Sequence, residues 1–376
     1  MGTRGSWTIF KLGSIPVRIH WSLLLILPYL AVVIGYQFRQ MAGLAGVAAE
    51  HMAVSPYLWG LGLAIALFAC VLLHELSHIA IGLRTGAKVH DVTLMMLGGV
   101  TNMTEMPHGP LAEAMMALAG PVSSGLLAAI FLAGYRFLPS PAHDLRFGVF
   151  YLGEINLVLA IFNLIPAFPM DGGRVLRALL QPALGRVRAT RASALVGRGL
   201  AVLLGVLGLY GGNFVLMLIA VFIFLGAGGE ARQVELDEML KGLRVGQVMD
   251  RNPPMVDPGA TIGEVADRAL ATGSPEVFVV GPEGALLGAI ATATTLHANL
   301  ERSRPISVIL VPPGPVVSPD APLQEGLRML ARSGLPTLAV VQDGRLVGSL
   351  SPRVVEMLWR SRQMERPPAY HRHREA

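Results

Sequence analysis

Five consecutive residues, His74-Glu75-Leu76-Ser77-His78, carry the most specific chemistry in the chain. Histidines four apart share one face of a helix. At that spacing two imidazoles can hold one zinc ion while the intervening Glu serves as general base. The surrounding sequence, LFACVLLHELSHIAIGL, is an apolar span. The trio lies about nine residues from its cytoplasmic end, roughly 14 Å at about 1.5 Å per residue. An ionisable residue at that depth costs about 2.5–3.5 kcal/mol even on lenient insertion scales. A Glu–His hydrogen bond joining helices is the alternative, but it accounts for one polar pair and not for three groups at zincin spacing. Catalytic zinc usually takes three protein ligands and a water, so a third buried ligand is expected. The candidate is Asp171, in Asn163-Leu-Ile-Pro166-Ala-Phe-Pro169-Met-Asp171-Gly172-Gly173. The two prolines break the span and the glycines free the backbone beside the Asp. Irregular backbone at membrane depth is tolerated only where it lines a cavity or is buried in protein. The alternative is an Asp that caps the next helix at the membrane surface.

The elements that must position these residues are membrane spans. Only 15% of the 376 residues are charged, and 53% are hydrophobic; soluble domains carry about 25% charged residues. Of the 55 charged residues, 32 fall in 231–376. The first 230 residues therefore read as membrane and the remainder as a soluble domain. About 20 apolar residues cross a bilayer, which predicts spans at 19–38, 57–83, 114–135 and 147–170. Between Arg198 and Glu230 the chain is uncharged, and Gly211-Gly212-Asn213 looks like a tight turn. That divides the stretch into spans at 192–210 and 213–229, six in all. Arg174, Arg177, Arg186, Arg188, Arg191 and Arg198 cluster after the fourth span. The positive-inside rule then places both termini and the soluble part in the cytoplasm of a multi-pass cell-membrane protein. The net charge of +5 is explained by these arginines beside apolar runs, so no nucleic-acid partner is expected. The single cysteine, Cys70, excludes an intramolecular disulfide and reads as a small buried filler one turn before His74.

The soluble part repeats at an offset of about 60 residues. Val256-Asp257-Pro258 with Glu264 matches Val317-Ser318-Pro319 with Glu325, and Glu283-Gly284 with Leu287-Gly288 matches Asp343-Gly344 with Val347-Gly348. Each copy reads as strand, helix, β-branched strand, Gly turn and strand. This duplicated unit resembles a pair of CBS modules. The expected organisation is a membrane domain at 1–230, a linker at 231–243, CBS modules at 244–303 and 304–362, and a disordered tail at 363–376. The fold class expected is thus an α-helical polytopic membrane protein followed by a soluble α/β CBS tandem.

His74-Glu75-x-x-His78 in one span, with Asn163-x-x-Pro166 and Asp171-Gly172 two spans later, resembles the site-2 protease family of intramembrane zinc metalloproteases. The likeness covers the first 230 residues. It implies one zinc ion per chain, held by His74, His78 and Asp171, with Glu75 as base. It also implies a lipid bilayer as environment and transmembrane helices of membrane-anchored proteins as substrates. Leu97-Gly98-Gly99-Val100 resembles the family's Gly-Gly strand segment, so Gly98, Gly99 and Val100 are candidates for pairing with an unwound substrate by strand addition; the alternative is a plain turn. Asn163 matches the family's Asn before the third ligand, where its amide would donate to a developing oxyanion; the alternative is a helix–helix hydrogen bond. Two departures stand out. The family often has Asn four residues after the Gly of a Gly-Pro pair, whereas Gly120-Pro121 is followed by Ser123-Ser124, which argues against a role for the third span. Nucleotide-binding CBS modules often carry an Asp that contacts the ribose. The matching stretches run from Ala291 to Thr294 and from Ser351 to Val354 and lack it, which argues against nucleotide binding and leaves a structural role or a homodimer through the CBS modules. The rival classes are a CBS-regulated transporter, which should show inverted repeats, and an inactive zinc-binding scaffold, which the intact Glu75 argues against.

Overall fold

The computed structural model describes residues 5–47, 54–96, 98–107, 109–139, 141–297 and 301–364. Leu97 and nearly all of the expected tail lie outside the described residues. The chain divides into two units, Met1–Val234 and Glu235–Ala376.

The first unit opens with a hairpin of β1 (Ser6–Leu12) and β2 (Ile15–His20), followed by α1 (Trp21–Leu44) and α2 (Pro56–Arg84). Next come β3 (Lys88–Met95), β4 (Gly98–Glu105), α3 (Pro110–Phe137) and α4 (His143–Leu164). The unit closes with α5 (Asp171–Leu184), α6 (Arg186–Tyr210) and α7 (Phe214–Leu240). Six helices among the described residues are long and apolar enough to span a membrane, namely α1, α2, α3, α4, α6 and α7. They carry outward-facing apolar side chains such as Leu25, Ile130, Val202 and Leu225, as a lipid environment allows.

Local sequence sets the boundaries. α4 stops at Leu164 rather than running to 170, because Pro166 and Pro169 withhold backbone donors. Gly212, at φ 60, makes the reversal between α6 and α7, and Asn213 then caps α7 by accepting from the Leu216 amide at 3.0 Å. Residues 231–240, expected as linker, form the last turns of α7. Small residues let the helices close together: a Cβ on Gly60 would lie 2.3 Å from the Ala31 carbonyl oxygen.

The four strands make one sheet in the order β1-β2-β3-β4, antiparallel except for the β2–β3 pair. β4 is thus an edge, paired only with β3, and Leu94 lies opposite Gly99.

The second unit holds two copies of the same motif. β5 (Met255–Val256), β6 (Glu276–Val280) and β7 (Leu286–Ala291) form one three-stranded sheet; β8 (Val316–Val317), β9 (Leu338–Gln342) and β10 (Arg345–Leu350) form the other. In each, a parallel pair is followed by an antiparallel one. The lead-in segments are exchanged. Leu243, Val245, Val248 and Met249, ahead of β5, pack into the core of the second copy with Leu323, Leu338 and Leu350. Ile306, Ile309 and Leu310, ahead of β8, pack with Val265, Val277 and Ile290 of the first.

Candidate metal centre

Both histidines of the motif are buried on one face of α2, His74 at 5% exposure and His78 at 8%. Asp171 reaches them from the first turn of α5. Its Oδ2 lies 3.2 Å from the Nε2 of His74 and 3.2 Å from the Nε2 of His78. One ligand atom from each of the three residues falls within 4.8 Å of the others. Zinc–ligand bonds of about 2.0–2.1 Å in a tetrahedral shell put neighbouring ligand atoms about 3.3 Å apart. The observed spacing therefore fits a single zinc ion.

Asp171 is where it is because the glycines after it let α5 begin against the broken end of α4. A Cβ on Gly172 would stand 2.3 Å from the Ile165 carbonyl oxygen, and one on Gly173 would stand 2.5 Å from the Phe168 nitrogen. The segment between the helices is itself held: Ala167 and Met170 pack with Ala201 and Ile223, and Phe168 with Ala194 and Ala227.

The second nitrogen of each imidazole is spent on α3. His74 Nδ1 pairs with the Ser124 hydroxyl at 2.9 Å, and His78 Nδ1 donates to the Met116 carbonyl at 2.7 Å. These partners fix the ring orientation and leave both Nε2 atoms for a metal, the arrangement that orients histidine ligands generally. Between them Gly120 forms the floor. Its Cβ, if present, would lie 2.3 Å from His78 Nε2 and 2.5 Å from His74 Nε2. The third span therefore contributes three positions to the centre, which corrects the expectation drawn from the missing Asn: at residue 124 a serine does the hydrogen bonding.

Glu75 faces β4. Its Oε2 accepts from the Thr101 hydroxyl at 2.7 Å, and only a glycine at 99 permits the approach, since a Cβ there would sit 2.3 Å from Glu75 Cγ. Gly98, Gly99 and Val100 begin this edge strand rather than forming only a turn, with Gly98 at φ 126. The Asn163 amide donates to the Leu159 carbonyl of its own helix at 2.9 Å, and among the described residues it makes no hydrogen bond to another helix. Sequence reasoning missed Met116, Gly120, Ser124 and Thr101. The available signal was the four-residue spacing of Met116, Gly120 and Ser124, which puts them on one stripe of a helix.

A buried ion cluster adjoins the centre. Arg177 of α5 is 1% exposed and donates through Nε to Glu113 of α3 at 2.8 Å, with a second, closer contact through its terminal nitrogen. Its other terminal nitrogen meets Glu230 of α7 at 3.1 Å. Stripping one partner from such a buried pair costs about 3–5 kcal/mol.

Comparison with known proteins agrees with this geometry. The sequence profile of peptidase family M50 matches residues 62–145 and 139–207, and the CBS domain profile matches 245–294 and 307–354. A zinc metalloprotease of Methanocaldococcus jannaschii is 31% identical over 346 residues, covering 91% of this chain and 93% of its own. The chain belongs to peptidase family M50. Like other members of this family, which includes the site-2 proteases, it is a zinc metalloendopeptidase in a multi-pass membrane protein, here with a CBS pair appended. A Synechocystis homologue is also 31% identical, over 357 residues, covering 90% of this chain and 92% of its own. A solved site-2 protease of Methanocaldococcus jannaschii is 30% identical with a TM-score of 0.43, covering 60% of this chain and 95% of that one. M50 membership replaces the transporter reading.

Proposed function

We propose that His74, His78 and Asp171 hold one zinc ion per chain, and that Glu75 is the general base of an endopeptidase acting on transmembrane segments of membrane-anchored proteins. The convergence of two imidazole nitrogens on one Asp171 oxygen, at 3.2 Å each, carries this reading. Zinc, when bound, acidifies its water toward pH 7 and polarises a peptide carbonyl. Glu75 takes the proton at its carboxylate and returns it to the leaving amine. The Thr101 hydroxyl bond to Oε2 holds that carboxylate in one orientation and leaves Oε1 free to accept. An unwound substrate would add to the unpaired side of β4 at Gly98–Val100, beside Glu75, since an edge strand offers free backbone groups. Asn163 joins as oxyanion donor once its amide leaves Leu159.

Both termini and the CBS unit are assigned to the cytoplasm, supported by the arginines that follow α4. A reporter fused after Gly242 should then be cytoplasmic and one at Ala142 extracytoplasmic; the swapped pattern refutes it. The catalytic reading is tested with a tagged single-span substrate and Glu75→Gln. That variant should keep its zinc and lose about 10²–10⁴-fold in cleavage, the usual contribution of a general base. Asp171→Asn should lose zinc and cleavage together. Undiminished cleavage by Glu75→Gln, in cells without another intramembrane protease, sinks the mechanism; no cleavage by wild type leaves an inactive scaffold.

A further inference from the structure

α3 meets both halves of the metal centre with one stripe of residues. Glu113, Met116, Gly120 and Ser124 are spaced by three, four and four residues and so share a helix face. Three of them serve the α2 half: Met116 and Ser124 hold the two imidazoles, and Gly120 leaves room beneath them. The fourth, Glu113, serves no histidine. Its carboxylate is spent on Arg177 of α5, the helix whose first residue is Asp171.

Arg174, in the first turn of α5, interacts electrostatically with Asp171, Glu113 and Glu230, but among the described residues the side-chain hydrogen bonds from α5 to Glu113 of α3 come from Arg177, one turn further on. Asp171 and Arg177 are six residues apart on one rigid helix, about 9 Å along its axis. Arg177 also covers the segment that leads into Asp171, with its guanidinium carbon 5.1 Å from the centre of the Phe168 ring. Its remaining nitrogen is taken by Glu230 of α7. A guanidinium presents its donors in a fixed planar fork, so two carboxylates on different helices determine both the rotation and the height of α5.

We infer that Arg177, clamped between Glu113 and Glu230, is a positioning residue that sets α5 against α3 and so places the Asp171 carboxylate where His74 and His78 converge. The inference rests on the zinc reading above and deepens it. Arg177 touches neither metal nor substrate; it acts through Asp171. Its loss should appear first in metal affinity, then in turnover, and not in substrate binding.

The experiment uses full-length protein purified in detergent. Zinc affinity is measured by competition with a chromophoric chelator, alongside kcat and KM on a single-span substrate and the melting temperature. Arg177→Lys keeps the charge and removes the fork. It should weaken zinc binding by up to about tenfold, the low end of what losing a direct partner of a metal ligand does, and lower kcat with KM unchanged. Glu230→Gln removes the more accessible carboxylate, 29% exposed, and should weaken zinc binding in the same direction by less. It decides the matter if Arg177→Lys does not fold. An unchanged zinc dissociation constant in the folded variants overturns the inference, whatever happens to the melting temperature, because a merely structural ion cluster would alter stability alone. Wild-type protein that binds no zinc overturns the metal reading and this inference together, whereas zinc-binding wild type with unaffected variants overturns only the clamp.

Discussion

The membrane unit and the CBS unit bury polar side chains in different ways. In the first, His74, His78, Ser124, Glu113 and Arg177 are all buried, and a single helix, α3, carries Ser124 and Glu113 and binds the other three. In the second, the buried carboxylate is Glu276 at 6% exposure, and its partner is the hydroxyl of Thr337. These two residues stand 61 positions apart, at matching places in the two copies. A connected network keeps every member in one geometry, as a metal site needs, and a half-satisfied one costs more than an apolar core. An isolated buried acid answers to one neighbour and to pH. The first arrangement is built for chemistry and the second for joining two copies.

That contrast can be broken at several points. The largest effect is expected at the floor of the metal centre. Gly120→Ala puts a methyl group 2.3 Å from His78 Nε2, so one side must shift. Zinc content of the purified variant should fall to near background while the soluble unit stays folded. Full zinc occupancy in Gly120→Ala would show that α3 does not fix the centre. Next comes Ser124→Ala, which frees His74 Nδ1. Zinc affinity should drop by about 10–100-fold, the usual effect of removing an outer-shell partner, and Ser124→Asn should restore part of it by supplying another hydrogen-bonding group.

A smaller, pH-dependent effect is expected in the CBS unit. Burial pushes the Glu276 carboxyl above its ordinary value of 4.5, and the Thr337 hydroxyl that donates to it offsets part of the rise. Between 4.5 and the raised value the folded unit holds a proton that the unfolded chain has lost. Stability contributed by Glu276 is therefore present below that window and is lost as pH rises through it. Thermal melts of the full chain from about pH 4 to about pH 8 should show this decline, and Glu276→Gln should flatten it. An unaltered pH profile in the variant would mean that Glu276 is not buried as an acid. The smallest effect is expected with nucleotides. ATP or AMP at millimolar concentration should leave the melting temperature unchanged, because neither copy carries the ribose-contacting Asp; a Kd below about 100 μM would raise it measurably by mass action.

Much of the metal centre could be read from the sequence because two ligands and the acid between them are ionisable residues in an apolar span, where every such residue demands a reason. His74, Glu75 and His78 announce themselves by spacing, and Asp171 by the prolines and glycines around it. The supporting residues could not be read the same way. Met116 acts through its backbone carbonyl, Gly120 through an absent side chain, and Ser124 through a hydroxyl that is common in membrane helices. Glu113 and Glu230 lie just outside the spans expected at 114–135 and 213–229, where a charge reads as interfacial. Arg177 was counted with its neighbours as a topology signal and turned out to be buried. In the soluble unit the repeat was visible from matched residues. The exchange of lead-in segments was not, because Val245 and Ile306 are ordinary apolar residues whose partners are fixed only by tertiary packing.

That exchange has a consequence for the order in which the protein can be made. Residues 245–249 leave the ribosome long before Leu338 and Leu350, the residues they pack against. At about 5–20 residues per second the interval of about 100 residues lasts about 5–20 s. Through that time Val245, Val248 and Met249 have no native core to enter, and the first copy is itself incomplete until Ile306 and Leu310 emerge. Vectorial synthesis can therefore close the first core only after Leu310 has emerged, and the second, which takes in Val245, only after Leu350. A nascent chain arrested at residue 303 would expose apolar side chains belonging to both cores, and the second core closes only after the last strand has been delivered.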